Sequence, residues 1–259
     1  MSRIDAVFAQ KDRKAFIAYI TVGYPSMEKT VEIAAILAKK GCDIIELGIP
    51  FSDPLADGAT IQKASFQAIK NGVNIDTCFE VAEKLKKINK PLVFMSYYNP
   101  ILNYGLQEFS LHCARTGIDG LIVPDLPPEE SIDLESLLRK YRIPLIYLLS
   151  PNSTEERIRI VALRSRGFIY LTSIVGLTGT RETLSAELEK FILRVKNITR
   201  QPLCVGFGIS TPEQAKKAAK NADGVIIGSR IIQLLDDKDK LSEFITETRQ
   251  ALDSVKQKV

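Results

Sequence analysis

Apolar residues along this chain fall into two rhythms that alternate from one end to the other. Short, nearly continuous apolar runs occupy Phe16–Val22, Asp43–Gly48, Leu92–Ser96, Gly120–Val123, Leu145–Leu149, Phe168–Ser173, Leu203–Gly206 and Gly224–Ile227. Runs of this kind suit parallel strands buried on both faces. Between them lie amphipathic stretches of helical period, such as Glu28–Lys40, Asp76–Ile88, Glu129–Tyr141, Thr154–Arg166 and Thr183–Lys196. Ser26, the pair Ser153-Thr154 and the segment Ser210-Thr211-Pro212-Glu213 stand where helix N-caps belong. Eight strands alternating with helices in 259 residues predict a (β/α)8 barrel, an α/β fold that typically takes about 250. Met1–Gln10 reads as a short extra N-terminal helix ahead of strand 1. No Ser/Gly-rich or low-complexity linker divides the chain, so residues 1–259 are expected to form a single barrel domain.

Composition narrows this picture without redirecting it. Hydrophobic residues make up 45% and charged residues 25%, which excludes disorder along the whole length. The net charge of +4 is spread over helices; Lys84, Lys86 and Lys87 lie on an amphipathic stretch and read as a solvated face, not a nucleic-acid patch. Cys42, Cys78, Cys113 and Cys204 are scattered and form no CxxC pair, so neither a disulfide framework nor a zinc site is expected. The N-terminus lacks the apolar core of a signal peptide and no apolar stretch is long enough to span a membrane, which points to the cytoplasm.

In a barrel of this type the chemistry sits where strands end and βα loops begin. Strand 7 runs into Gly206-Phe207-Gly208-Ile209-Ser210, strand 8 into Gly228-Ser229-Arg230, and strand 6 leads to Gly176-Leu177-Thr178-Gly179. Glycine there lets backbone N–H groups approach an anion, and a helix start at Ser229 adds partial positive charge. A phosphorylated small molecule is the expected substrate class. Strand 2 places Ile44 and Glu46 on one face and Ile45 and Leu47 on the other. A carboxylate near the end of so apolar a strand should be desolvated and hold its proton to higher pH, as a general acid and base requires. The competing reading is a structural ion pair. Asp53 and Asp57 stand beside Pro and Gly, where Asp is ordinary turn chemistry. His112 is the only histidine and lies in a helical stretch, against a histidine-based metal centre or a Ser-His-Asp triad. No lysine stands at a strand end, against a Schiff base.

The stretch Ile45-Glu46-Leu47-Gly48-Ile49-Pro50-Phe51-Ser52-Asp53-Pro54-Leu55-Ala56-Asp57-Gly58 resembles the signature of tryptophan synthase alpha chains. The likeness extends over essentially the whole chain, through Tyr97-Tyr98-Asn99-Pro100, Gly120–Pro127, Gly176–Gly179, Gly206–Ile209 and Gly228-Ser229. It implies a carbon–carbon lyase of tryptophan biosynthesis that splits indole-3-glycerol phosphate into indole and glyceraldehyde 3-phosphate. It also implies roles for matching positions. Glu46 is the acid/base that protonates indole C3, and Asp57 holds the indole N–H. Tyr170 stands near the glutamate, and Tyr19 lies against the indole. Gly179, Gly208, Gly228 and Ser229 cradle the phosphate, and Thr178 meets Asp57 on loop closure. The resemblance further implies a beta subunit partner in an alpha2beta2 heterotetramer. Pyridoxal phosphate would sit in that partner and no cofactor in this chain. The apolar segments Tyr97–Leu102 and Pro124–Pro128 are expected to be loops that expose a docking surface.

Three positions depart from the family pattern: Ala59 where proline is usual, Leu177 for valine, and Arg230 for a small residue. Two alternatives stay open at this point. One is a catalytically weak regulatory subunit that activates a beta partner. The other is a different phosphate-binding barrel enzyme.

Overall fold

Each of the eight apolar runs forms a stave of one barrel in the structure, a computed structural model. It describes residues 1–10, 12–172, 181–206 and 208–255, the side chains of 181–185 excepted. In chain order, α1 (Arg3–Phe8) precedes β1 (Ala15–Thr21), α2 (Met27–Lys40), β2 (Ile44–Gly48), α3 (Ala59–Lys70), α4 (Ile75–Leu85) and β3 (Leu92–Met95). Then come α5 (Tyr98–Tyr104), α6 (Leu106–Arg115), β4 (Gly120–Ile122), α7 (Ile132–Lys140), β5 (Leu145–Ile146) and β6 (Leu148–Leu149). The chain continues through α8 (Glu155–Arg164), β7 (Ile169–Thr172), α9 (Arg181–Lys196), β8 (Leu203–Gly206), α10 (Pro212–Ala219), β9 (Gly224–Ile227), α11 (Ser229–Gln233) and α12 (Lys238–Asp253). The sheet order is β5-β4-β3-β2-β1-β9-β8-β7-β6, with parallel pairing throughout. This is a (β/α)8 barrel.

The fifth stave departs from expectation, because Tyr147 divides the run Leu145–Leu149 into β5 and β6. Its N–H turns to Ser165 Oγ (3.4 Å), while its carbonyl still accepts from the Tyr170 N–H (3.0 Å). The side chain faces outward, where its hydroxyl meets Ser131 and Glu135 beside Arg164. One half of the stave pairs with β4 and the other with β7.

The expected loop Tyr97–Leu102 is a second correction, because α5 begins at Tyr98. Pro100 falls in its first turn, where a missing N–H breaks no helical bond. The Tyr98 N–H is taken by the Asp125 carboxylate of a different loop (2.9 and 3.2 Å). Nor is the expected patch broadly exposed. Tyr97, Ile101 and Leu126 are buried, and Leu102 alone of the large side chains there stands out, at 53% exposure. The helix expected from Glu129 starts at Ile132, after a 3-10 turn over Pro128–Glu130.

Two shells of packing follow from strand alternation. Ile17, Ile44, Val93, Ile122, Ile146, Phe168, Cys204 and Ile226, one from each stave, fill the lower interior. Ile4 of α1 closes that layer from below, in space left by Gly120, whose Cβ would come within 3.0 Å of the Ile4 side chain. Residues of opposite parity, among them Phe16, Ala18, Ile45, Leu47, Leu92 and Phe94, form the larger core beneath the helices.

Candidate active site

Ile44 belongs to the interior layer and Ile45 and Leu47 to the outer core, so Glu46 points inward, one step nearer the mouth. It is 1% exposed, and its Oε2 has no hydrogen-bond partner among the described residues. Burial, then the negative charge of Asp57, push its pKa up to about 8. No cation relieves it, so the ion-pair reading of Glu46 fails among the described residues. A buried carboxyl in this state keeps its proton at neutral pH.

Two tyrosines flank it. Tyr19 lies opposite Glu46 in the β1–β2 register, and Tyr170 of β7 packs against the interior layer. Small residues make room for both: a Cβ at Gly48 would overlap the Tyr19 hydroxyl, and one at Gly206 the Tyr170 hydroxyl. Tyr19 also meets Thr21 Oγ1 at 3.3 Å. Burial first, and then the charges of Glu46 and Asp57, raise the pKa of both phenols. They remain neutral dipoles beside the carboxyl.

Asp57 comes from the loop joining β2 to α3. Desolvation raises its pKa to about 6, against a hydrogen bond from the Tyr97 hydroxyl (3.1 Å) that pulls it down. Near neutral pH the site therefore holds one neutral and one charged carboxyl. Tyr97 was singled out in the sequence only as part of an apolar segment. Its hydroxyl's target lies 40 residues away in the chain, beyond what local pattern reveals.

At the rim, Gly206 and Ile226 pair across β8 and β9, so Gly208 and Gly228 follow at matching heights. Gly208 is exposed with φ +66, and among the described residues, its chain neighbours aside, no atom lies within 4 Å of where its Cβ would stand. Gly228 caps α11, whose first residue is the exposed Ser229. The ring of Tyr19 packs close to Gly228, tying this rim to the interior. Thr178 and Gly179 lie outside the described residues, as does Leu177. The structure thus gathers Glu46, Asp57, Tyr19 and Tyr170 at the mouth, with Gly208, Gly228 and Ser229 above the neighbouring strands. A cavity of about 370 Å³, lined by Phe51, Asp53, Leu55, Ala56, Tyr97, Pro124 and Asp125, opens beside the Asp57 loop.

Comparison with known proteins agrees with this geometry. A family profile described as "Tryptophan synthase alpha chain" matches residues 6–259. The tryptophan synthase alpha chain of Dehalococcoides mccartyi is 55% identical over 257 residues, covering 98% of this chain and 100% of that one. That of a Thermoanaerobacter species is 44% identical over 261 residues, covering 99% of each. Among solved structures, tryptophan synthase subunit alpha from Legionella pneumophila superposes with a TM-score of 0.90 at 35% identity, covering 98% of this chain and 100% of that one. The aminoacrylate-bound form of tryptophan synthase from M. tuberculosis gives 0.90 at 34% identity, covering 97% and 100%.

Proposed function

The chain belongs to the tryptophan synthase alpha chain family, and from that premise we propose that Glu46 and Asp57 divide its reaction between them. That reaction, in tryptophan biosynthesis, is lyase cleavage of indole-3-glycerol phosphate to indole and glyceraldehyde 3-phosphate. The observation carrying the assignment is Glu46 buried beside Asp57, with its Oε2 unpartnered among the described residues and its pKa pushed up by burial and by the Asp57 charge.

Glu46 gives its proton to indole C3. Positive charge then grows on the ring nitrogen, where the Asp57 carboxylate takes the N–H and stabilises it. Now a carboxylate, Glu46 removes the proton from the hydroxyl on the carbon attached to the ring. The bond from that carbon to C3 breaks, its electrons return to the ring, and an aldehyde leaves as indole forms. One group serves as acid and then as base, which is why a pKa near neutrality suits it. Tyr19 lies against the indole and Tyr170 beside the glutamate. The N–H groups at Gly208, Gly228 and Ser229 hold the phosphate at the rim, and the family resemblance adds Gly179 to that cradle and assigns Thr178 to Asp57. Glu46→Gln keeps the shape and is expected to lose about 10²–10⁴-fold in kcat. Wild-type indole release by that variant overturns the assignment.

The wider reading is of one barrel domain working in the cytoplasm as the alpha part of an alpha2beta2 assembly. Pyridoxal phosphate belongs to the beta partner in this reading. Among the described residues, no helix is long and apolar enough to cross a membrane. Leu55, 92% exposed, and Leu102 offer apolar contact on the Asp57 loop and on α5, with exposed Asn99 close by in the chain. Asn99→Asp is expected to weaken co-sedimentation with the cognate beta subunit by about tenfold or less while leaving the fold intact, since one rim charge shifts affinity modestly. Unchanged co-sedimentation by this variant removes Asn99 from the contact.

A further inference from the structure

Tyr97 closes a chain of contacts that joins three loops at the barrel mouth. It stands two residues past the end of β3, is 5% exposed, and packs its ring on Phe51 with centroids 5.2 Å apart. Its hydroxyl donates to Asp57 Oδ2 (3.1 Å) and accepts the Ala56 N–H (2.9 Å). Among the described residues it is the one hydrogen-bond partner of the Asp57 carboxylate. On its other side the Tyr98 N–H is held by Asp125, from the loop after β4. The Asp57 loop itself is largely exposed, and Gln62 secures only its backbone, at the Asp57 carbonyl (2.9 Å).

We propose that Tyr97 is the positioning residue of Asp57, fixing through its hydroxyl where the carboxylate stands and transmitting the placement of the Asp125 loop to it. The proposal rests on the assignment of Asp57 to the ring nitrogen. A carboxylate that must meet a developing N–H needs a fixed direction as well as a charge, and an exposed loop supplies neither rotamer nor register by itself. A buried tyrosine held between the end of β3 and the start of α5 supplies both. The bond also favours the ionised carboxylate, opposing the burial that raises it. The other titratable groups coupled to Asp57 are Glu46 on β2, Tyr19 on β1 and Tyr170 on β7. None of their hydroxyls or carboxyls bonds to it among the described residues.

Tyr97→Phe keeps the ring and its contact with Phe51 and removes only the hydroxyl. Expected is a fall in kcat of about 10- to 100-fold, the usual worth of a hydrogen bond to a charged group, with a smaller change in KM. The acid limb of the rate profile and the Asp57 13Cγ titration, assigned by its loss in Asp57→Asn, should both move to higher pH. Fluorotyrosine at position 97 preserves the fold while strengthening the donor, and should move the Asp57 titration to lower pH. Phe51→Leu should leave that titration in place. Wild-type kcat and an unmoved titration in Tyr97→Phe, with Asp57→Asn impaired, overturn the positioning role alone. Wild-type turnover by Asp57→Asn overturns the catalytic reading of Asp57, and the positioning role with it. A titration equally displaced by Phe51→Leu shows packing at work in place of the hydroxyl, and also overturns the proposal.

Discussion

Asp43 and Glu46 stand three residues apart, Asp43 just before β2 and Glu46 at its middle. Both are all but buried, at 4% and 1% exposure. Asp43, at the floor, spends every acceptor. Its Oδ1 takes Arg13 Nε (3.2 Å) and Nη2 (2.9 Å), and its Oδ2 takes Arg249 Nη1 and the Phe16 N–H (each 2.9 Å). That carboxylate binds the start of β1, the start of β2 and α12 to one another. Glu46, at the mouth, leaves Oε2 unpartnered among the described residues and faces a second carboxylate there instead of a cation. The same residue chemistry on the same stave therefore does opposite work. A paired buried charge is structural, and breaking it leaves its partners unsatisfied. An unpaired buried carboxyl holds a proton in readiness, and folding loses stability by keeping it there.

Glu46→Gln breaks the comparison from the mouth side and carries the largest effect, the about 10²–10⁴-fold loss in turnover. Stability should move the other way. The folded-state pKa of Glu46 is raised from 4.5 to about 8, so the unfolded chain releases this proton first. Stability from this group is thus full below the lower value and is lost as pH rises through the upper one. The Gln variant escapes that loss. Its Tm should exceed that of the wild type by more at pH 9 than at pH 6, as scanning calorimetry will read. Equal Tm differences at the two pH values count against a buried ionisable Glu46.

Asp43→Asn breaks the comparison from the floor. It removes the buried charge that Arg13 and Arg249 share, leaving them Asp253 and the Lys14 carbonyl, and is expected to lower stability by about 3 kcal/mol, on the order of 10 °C in Tm. Turnover per folded molecule should stay close to wild type below the new transition. A large loss of kcat without a fall in Tm contradicts the division of labour along β2.

Asp57→Asn sharpens the mouth side. In the wild type, kcat/KM should fall below about pH 6 as Asp57 gains a proton, and above about pH 8 as Glu46 loses its own. Asn at 57 removes the charge that helps raise Glu46, so the alkaline limb should move to lower pH in whatever activity remains. An alkaline limb that stays put separates the two groups electrostatically.

Ala59→Pro is the smallest change. Ala59 is the first residue of α3, and Gly58 before it is extended at φ −76 and ψ 162, both suited to proline. A gain of about 0.4–1 kcal/mol is expected from the unfolded chain's lost freedom, measured as Cm in urea with an unchanged m-value. A loss instead shows that the loop needs the N–H or the latitude of alanine.

How much of this was legible in the sequence depended on where the signal resides. The staves were readable because burial on both faces writes continuous apolar runs, and strand alternation put Glu46 on one face with Ile44, though which face is inward shows only in the barrel. Helices α2, α8 and α10 open on Ser26, Thr154 and Thr211, whose side chains accept from the first turn. By contrast α3, α5 and α6 begin at Gly58, Tyr97 and Gly105 with no side-chain cap, leaving no local mark of their starts. The cap of α5 comes instead from Asp125, and Asp57's partner is Tyr97. Both pairings join residues from separate strands' loops and exist only once the barrel has closed. The orientation of Tyr147, which splits the fifth stave, likewise depends on Ser131, Glu135 and Arg164 on the helices outside it.

The floor laid by Ile4 and one side chain from each stave turns the barrel into a cul-de-sac. Whatever enters at the mouth leaves by the mouth. On the proposed reading, indole bound below the phosphate against Tyr19 and Glu46 sits behind the other product. On that reading its departure is governed by what stands above it: the aldehyde phosphate at the rim and the loops around Asp57 and Tyr97. Traffic in this molecule is therefore ordered by depth, and the outermost loops act as doorkeeper to the innermost product.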